Sequence, residues 1–285
     1  MYSLVNLTYD YRRGARAVND ITAEIGPGLH LLLGENGAGK TTLLHLLSGL
    51  LFPTEGSCAY NGTELSLRRP HTLRDIFFMP DDFECAFSTI SRMARCHGQF
   101  YPNFNYELMY ANLADFGLTG NERIRTMSLG MRRKAYISYA LALRTPVLLL
   151  DEPANGMDID AKKILRRVLT RSIGDDSTVI ISTHNVYDLG SLFENVMIMH
   201  AGRLRLSMPV WQVLERVAFV TSPSPVPGAL YQEPDRGRFM AIIPNTDCID
   251  TDIDYRLLYS AAMSPAGDAL VAYITTTDQD HRNDR

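Results

Sequence analysis

Lys40 and Thr41 close an eight-residue run, Gly34-Glu35-Asn36-Gly37-Ala38-Gly39-Lys40-Thr41, whose residue types could hold phosphate. It follows the apolar segment Leu29-His30-Leu31-Leu32-Leu33 and leads into Thr42-Leu43-Leu44-His45-Leu46-Leu47, so the order is strand, G-x-x-x-x-G-K-[ST], helix. Glycines let the backbone curl until its N–H groups converge on phosphate oxygens, and the helix N-terminus adds a partial positive charge. Gly34, Asn36, Gly37, Gly39 and Thr42 would then form the cradle. Lys40 would reach the β- and γ-phosphates of a nucleotide, and the Thr41 hydroxyl would ligate Mg²⁺. A second constellation, Asp151-Glu152, ends the apolar run Val147-Leu148-Leu149-Leu150. A strand-end aspartate can hold Mg²⁺ beside such a loop, and a glutamate one residue on can orient or deprotonate an attacking water.

These groups need a scaffold, and the pattern supplies one. Val147–Leu150 and Thr178-Val179-Ile180-Ile181 are continuous apolar runs of the kind central parallel strands show. A helix-patterned segment from Asp160 to Ile173 separates them. Residues 2–8, 17–25 and Ile76-Phe77-Phe78-Met79 read as further strands, and Asn61-Gly62 as a tight turn after Ser57–Tyr60. From Ser88 to Met127 the pattern is helical, and another helix is expected from Gly130 to Leu143. After Ser207 the character changes. Met208-Pro209 and the proline-rich Thr221–Gly228 suggest a boundary and a semi-rigid connection. Beyond them, Ala241–Ile243 and Leu270-Val271-Ala272-Tyr273-Ile274 read as strands of a small appended unit, with a frayed charged end from Asp278 to Arg285.

Composition narrows the class. The 285 residues are 46% hydrophobic and 21% charged with net charge −4, an ordinary globular profile that advertises no basic face for nucleic acid. Arginines pair at Arg12-Arg13 and Arg68-Arg69 and group at Arg132-Arg133-Lys134, as solvated faces commonly do. Cys58, Cys85, Cys96 and Cys248 show no C-x-x-C spacing, which suits free thiols in a reducing cytoplasm. The start of the chain lacks the layout of a signal peptide, and no apolar run approaches the ~20 residues of a spanning helix. Any membrane part is expected on another chain.

Together these residues resemble the nucleotide-binding subunit of an ATP-binding cassette (ABC) transporter over residues 2–206. Met127-Ser128-Leu129-Gly130-Met131, ahead of Asp151, is similar to that family's L-S-G-G-Q signature and keeps its serine and second glycine. The resemblance implies that Ser128 and Gly130 touch the γ-phosphate of ATP. It also matches Ala154–Asp158 to the loop after the catalytic glutamate and His184 to the switch histidine. Tyr11 matches the aromatic that stacks on adenine, with Tyr9 as its competitor. His184 also falls at the C-terminal end of a parallel strand, the edge where open α/β sheets bind ligands. One residue departs from the pattern. Where the family has glutamine after the Ile76–Met79 strand, this chain has Asp81, which is expected to act with Mg²⁺, directly or through water.

The resemblance implies an α/β fold: a P-loop NTPase core around a mainly parallel sheet, a small antiparallel β region, a helical subdomain over about 85–140 and a C-terminal appendage. The expected division is 1–207 for the nucleotide-binding domain and 208–285 for the accessory region. Cofactors would be ATP and Mg²⁺. Nucleotide and metal would fall to Lys40, Thr41 and Asp151, and hydrolysis to Glu152 and His184. The partners implied are a separate transmembrane permease and a second ATPase subunit, either a homodimer copy or a paralogue, on the inner face of the cell membrane. The degenerate signature and the short helical subdomain favour an exporter. The alternative is a non-transport ABC ATPase acting on nucleic acid or the ribosome, against which the acidic balance and the single phosphate loop speak.

Overall fold

The protein is described from a computed structural model, covering residues 1–12, 14–82, 85–185 and 190–276. Arg13, His281 and the expected frayed end 278–285 lie outside the described residues. The chain forms two compact units: Met1–Phe193 with Met199–Leu204, and Glu194–Ile198 with Arg205–Arg285.

The first unit opens with β1 (Tyr2–Tyr11), β2 (Ala15–Ile25) and β3 (Gly28–Leu33), followed by α1 (Lys40–Leu47). Next come β4 (Glu55–Tyr60), β5 (Thr63–Glu64), α2 (Pro70–Leu73) and β6 (Ile76–Met79). The helices α3 (Ile90–His97), α4 (Tyr106–Asp115) and α5 (Leu129–Ala142) then precede β7 (Val147–Asp151), α6 (Ile159–Ser172) and β8 (Thr178–Thr183). β9 (Asn195–His200) and β10 (Arg203–Pro209) carry residues of both units.

A four-stranded sheet runs β2-β1-β4-β5 with antiparallel pairing, and a six-stranded sheet runs β10-β9-β3-β8-β7-β6. In the second sheet β3, β8, β7 and β6 pair in parallel. Every residue of β3, β7 and β8 is buried, which is why these strands read as unbroken apolar runs rather than alternating ones. Their register brings Leu33 beside Thr183 and Asp151 beside Ser182, so the chemistry-bearing segments leave the sheet at one edge. The region patterned as helical from Ser88 is broken into α3 and α4. Side chains of Thr89 and Asn105 cap their N-termini, accepting from Arg92 N at 3.1 Å and Leu108 N at 2.9 Å.

The second unit contains α7 (Val210–Arg216), β11 (Val217–Ser222), β12 (Tyr231–Asp235), β13 (Arg238–Pro244), α8 (Tyr255–Met263) and α9 (Gly267–Thr275). Its sheet order is β11-β13-β12, antiparallel, with Pro234 on an edge strand where a missing N–H is tolerated. Two sequence expectations are corrected here. Leu270–Ile274 is helix, not strand: the buried residues of α9 are Gly267, Leu270 and Ile274, a helical spacing that the continuous apolar run concealed. The proline-rich stretch is not a connection between units; it joins β11 to β12 inside the second.

Candidate active site

The loop after β3 is shaped by close backbone approach. Gly39 has φ +105, and a Cβ there would lie 2.2 Å from the Ala17 carbonyl oxygen; one on Gly34 would lie 2.5 Å from that of Met199. Only glycine fits either place. α1 then starts at Lys40 with no acidic residue in its first turn, leaving amide N–H groups without intrahelical acceptors at its positive end.

Lys40 is buried. Its Nζ donates to the carbonyl oxygens of Gly34 at 2.6 Å and Glu35 at 3.1 Å, and lies 3.7 Å from Glu152 Oε1. Burial lowers the pKa of the ammonium, while the charges of Glu152 and Asp151 oppose that shift. From the adjacent position, Thr41 Oγ1 donates to Asp151 Oδ2 at 2.7 Å. The other oxygen of that carboxylate accepts from Ser182 Oγ, a fully buried hydroxyl on the neighbouring strand.

Glu152 follows with φ +47, a left-handed backbone that a glutamate adopts only when its surroundings hold it there. Its N–H donates to both Ser182 O and Ser182 Oγ at 3.1 Å. Its Oε1 lies 2.9 Å from His184 Nδ1. A carboxylate, an imidazole and an ammonium thus meet at the end of β7 and β8, with a Thr–Asp pair beside them.

A cavity of about 330 Å³ collects most of the residues singled out from the sequence. Asn36, Gly37, Gly39, Lys40, Thr41 and Thr42 line it, and so do Tyr11, Asp81, Asp151 and Glu152. Tyr11 Oη lies 3.2 Å from Thr42 Oγ1, and Tyr9 meets the Tyr11 ring edge-on at 5.0 Å. Of the two tyrosines, Tyr11 is the one that lines the cavity. Gly34 contributes its carbonyl to Lys40, and His184 joins through Glu152. Ser128 and Gly130 are not among the lining residues. Ser128 caps α5 by accepting from Met131 N at 3.3 Å, and Gly130 packs close to the Gly156 carbonyl.

Asp81 has a partner that its sequence position did not announce. Its Oδ1 accepts from Arg133 Nη2 on α5, and Asn155 Nδ2 lies 3.5 Å from the same oxygen. Asp158 caps α6, and the Ala161 amide it accepts from at 2.7 Å holds its carboxyl below the usual range, helped by Lys134. Sequence reasoning missed Ser182 and Arg133. The only signal for Ser182 was a hydroxyl pair, Ser182-Thr183, closing an otherwise apolar strand. Arg133 was hidden in a basic triplet.

A sequence profile described as ABC transporter matches residues 18–155. The ABC transporter ATP-binding protein NatA of Bacillus subtilis is 28% identical over 205 residues, covering 68% of this chain and 82% of that protein. Residues 18–155 carry an ABC transporter ATP-binding domain. Nod factor export ATP-binding protein I of Cupriavidus metallidurans is 28% identical over 194 residues, 65% of this chain and 64% of that one. The human phospholipid-transporting ATPase ABCA3 is 33% identical over 199 residues, 66% of this chain, which spans only 11% of that protein. Among solved structures, the ATP-binding subunit of an ABC transporter superposes with TM-score 0.65 at 22% identity, over 75% of this chain and 91% of that one. A dimeric ATP-binding cassette in a post-hydrolysis state, bound to ADP and Pi, gives 0.61 at 20% identity, over 74% and 99%. The fold is that of a P-loop ABC cassette, and its chemistry is the binding and hydrolysis of ATP.

Proposed function

We propose that this chain is the ATPase subunit of an exporting ABC transporter, pairing with a second ATPase subunit around two ATP and driving a separate permease on the inner face of the membrane. Names of relatives that speak of export support the direction, as does the degenerate signature that keeps Ser128 and Gly130. Among the described residues no helix is long and apolar enough to cross a membrane.

The observation that carries the catalytic reading is the Glu152–His184 contact beside Lys40. Glu152 would accept the proton of the attacking water, and His184 would hold the carboxylate and approach the γ-phosphate. Lys40 and the amides of the Gly34–Gly39 loop would bind the phosphates; Tyr11 would stack on the adenine. Ser128 and Gly130 would act across the subunit interface, which explains their separation from the cavity.

The donor set also fits Mg²⁺. No group of three or more His, Cys, Asp or Glu among the described residues could hold a metal without help, and Mg²⁺ characteristically takes one or two protein ligands plus substrate phosphates. Thr41 and Asp151, already paired, would hold it; Asp81 lines the same cavity and would join only by sharing its carboxylate with Arg133. The ion would neutralise charge on the phosphate oxygens.

Glu152→Gln tests the reading. The variant should bind ATP normally, hydrolyse it slower by about a hundredfold, roughly 2.7 kcal/mol of barrier, and accumulate as an ATP-bound dimer on a sizing column. Hydrolysis at the wild-type rate removes Glu152 from the mechanism. Isolation of the complex from its native membrane tests the permease, whose absence would overturn the transport reading.

A further inference from the structure

Arg133 stands one turn into α5, and only 3% of its side chain is exposed. Its guanidinium reaches two loops at once. Nη2 donates to the Asp81 carbonyl oxygen at 2.8 Å and to Asp81 Oδ1, and Nη1 donates to the Asn155 carbonyl oxygen. Asp81 lines the nucleotide cavity, while Asn155 follows Glu152 by three residues. The segments are in close packing: a Cβ on Gly156 would lie 3.7 Å from Arg133 Nη1, and one on Gly130 would lie 3.2 Å from the Gly156 carbonyl oxygen. The next residue of α5 adds a second tie, Lys134 Nζ to Asp158 Oδ2 at 3.9 Å.

We propose that Arg133 is a positioning residue for hydrolysis, a latch that fixes the loop of Asp81 and the loop that follows Glu152 against the start of α5. The reason is electrostatic and geometric. A buried guanidinium has a planar fork of donors, and here the two Nη groups find their acceptors only while both loops supply them. Moving the Asp81 loop removes the carboxylate that balances the cation, and moving the other loop strips Nη1 of its carbonyl acceptor, so a shift of either loop is opposed through the same side chain. The acid at position 81 is what makes a cation tolerable in this place. In the family resemblance a neutral glutamine stands there, and a neutral amide does not balance the charge. The latch rests on the ATPase reading alone and not on transport, so it can fail while Glu152→Gln behaves as expected.

The test is a double-mutant cycle on steady-state ATPase with the full chain. Asp81→Gln and Arg133→Gln should each lower kcat by about tenfold, with KM for ATP within about twofold, because the phosphate cradle is untouched. The doubly substituted protein replaces an ion pair by two amides of similar combined reach, and should return to within about threefold of wild type. Losses that multiply to about a hundredfold, or that fall on KM instead of kcat, overturn the latch. Should Arg133→Gln not fold, the half-exposed end decides. Asp81→Glu should keep at least about a third of kcat while Asp81→Asn loses about tenfold, and equal rates for the two overturn the proposal.

Discussion

Ser182→Ala probes the part of the site that no local motif revealed. The hydroxyl has no exposed surface and touches both carboxylate-bearing residues: it donates to Asp151 Oδ1 and accepts from the Glu152 amide. These two bonds are not equally exposed to loss. The Glu152 N–H keeps a second acceptor, the Ser182 main-chain carbonyl at 3.1 Å, so alanine leaves it satisfied. Asp151 is only 3% exposed and keeps Thr41 on its other oxygen, so the freed oxygen has no solvent to replace the donor. A hydrogen bond to a charged group contributes about 1.5–3 kcal/mol, and alanine nearly conserves the volume, so a loss of about 2 kcal/mol of folding stability is expected, read from urea denaturation. Carried fully into the transition state, the same energy is about thirtyfold in kcat; a loose carboxylate that Mg²⁺ re-orders would recover part of it, giving at least about threefold. KM for ATP should stay within about twofold, since the loop donors and Lys40 are unaffected. The assay is phosphate release at saturating ATP. A variant with wild-type kcat and an unchanged urea midpoint would show that the Ser182 hydroxyl positions nothing.

Two further outcomes follow from the same geometry. Gly39→Ala places a methyl against the Ala17 carbonyl and Met199 Cε with φ at +105, so about 2 kcal/mol or more of stability should be lost on urea denaturation; a loss under about 0.5 kcal/mol would refute the close approach. His30, His45 and His97 have pKa values lowered chiefly by burial, so the unfolded chain binds more protons than the folded one below its ordinary pKa. Their stabilisation is therefore complete above about pH 6.5 and falls as the pH drops, by up to about 1.4 kcal/mol per unit for each histidine that titrates in the window. Urea midpoints at pH 7.5 and 5.5 measure it, and equal midpoints contradict it.

What the sequence determined alone is what the chemistry demands locally. The Gly34–Thr41 run, the apolar strands that flank it and the Asp151-Glu152 pair were legible because a phosphate cradle and a buried parallel strand each impose residue types on neighbours in the chain. The same logic misled at Leu270–Ile274, where five consecutive apolar residues fit a buried strand and the helical spacing became visible only once Ala272 proved exposed and Ile274 buried. Tertiary structure decided the rest. Tyr11 and Tyr9 share a strand and a residue type, and only the cavity distinguishes them. Ser182 meets Asp151 because two parallel strands align in register, and Arg133 meets Asp81 and Asn155 because a helix packs against two loop ends. Such contacts join residues far apart in the chain, and their hydrogen bonds require only a donor and an acceptor brought together in space. Serine and arginine satisfy that need in many settings, so their types carry no local signature; the fold alone selects which of them face the site.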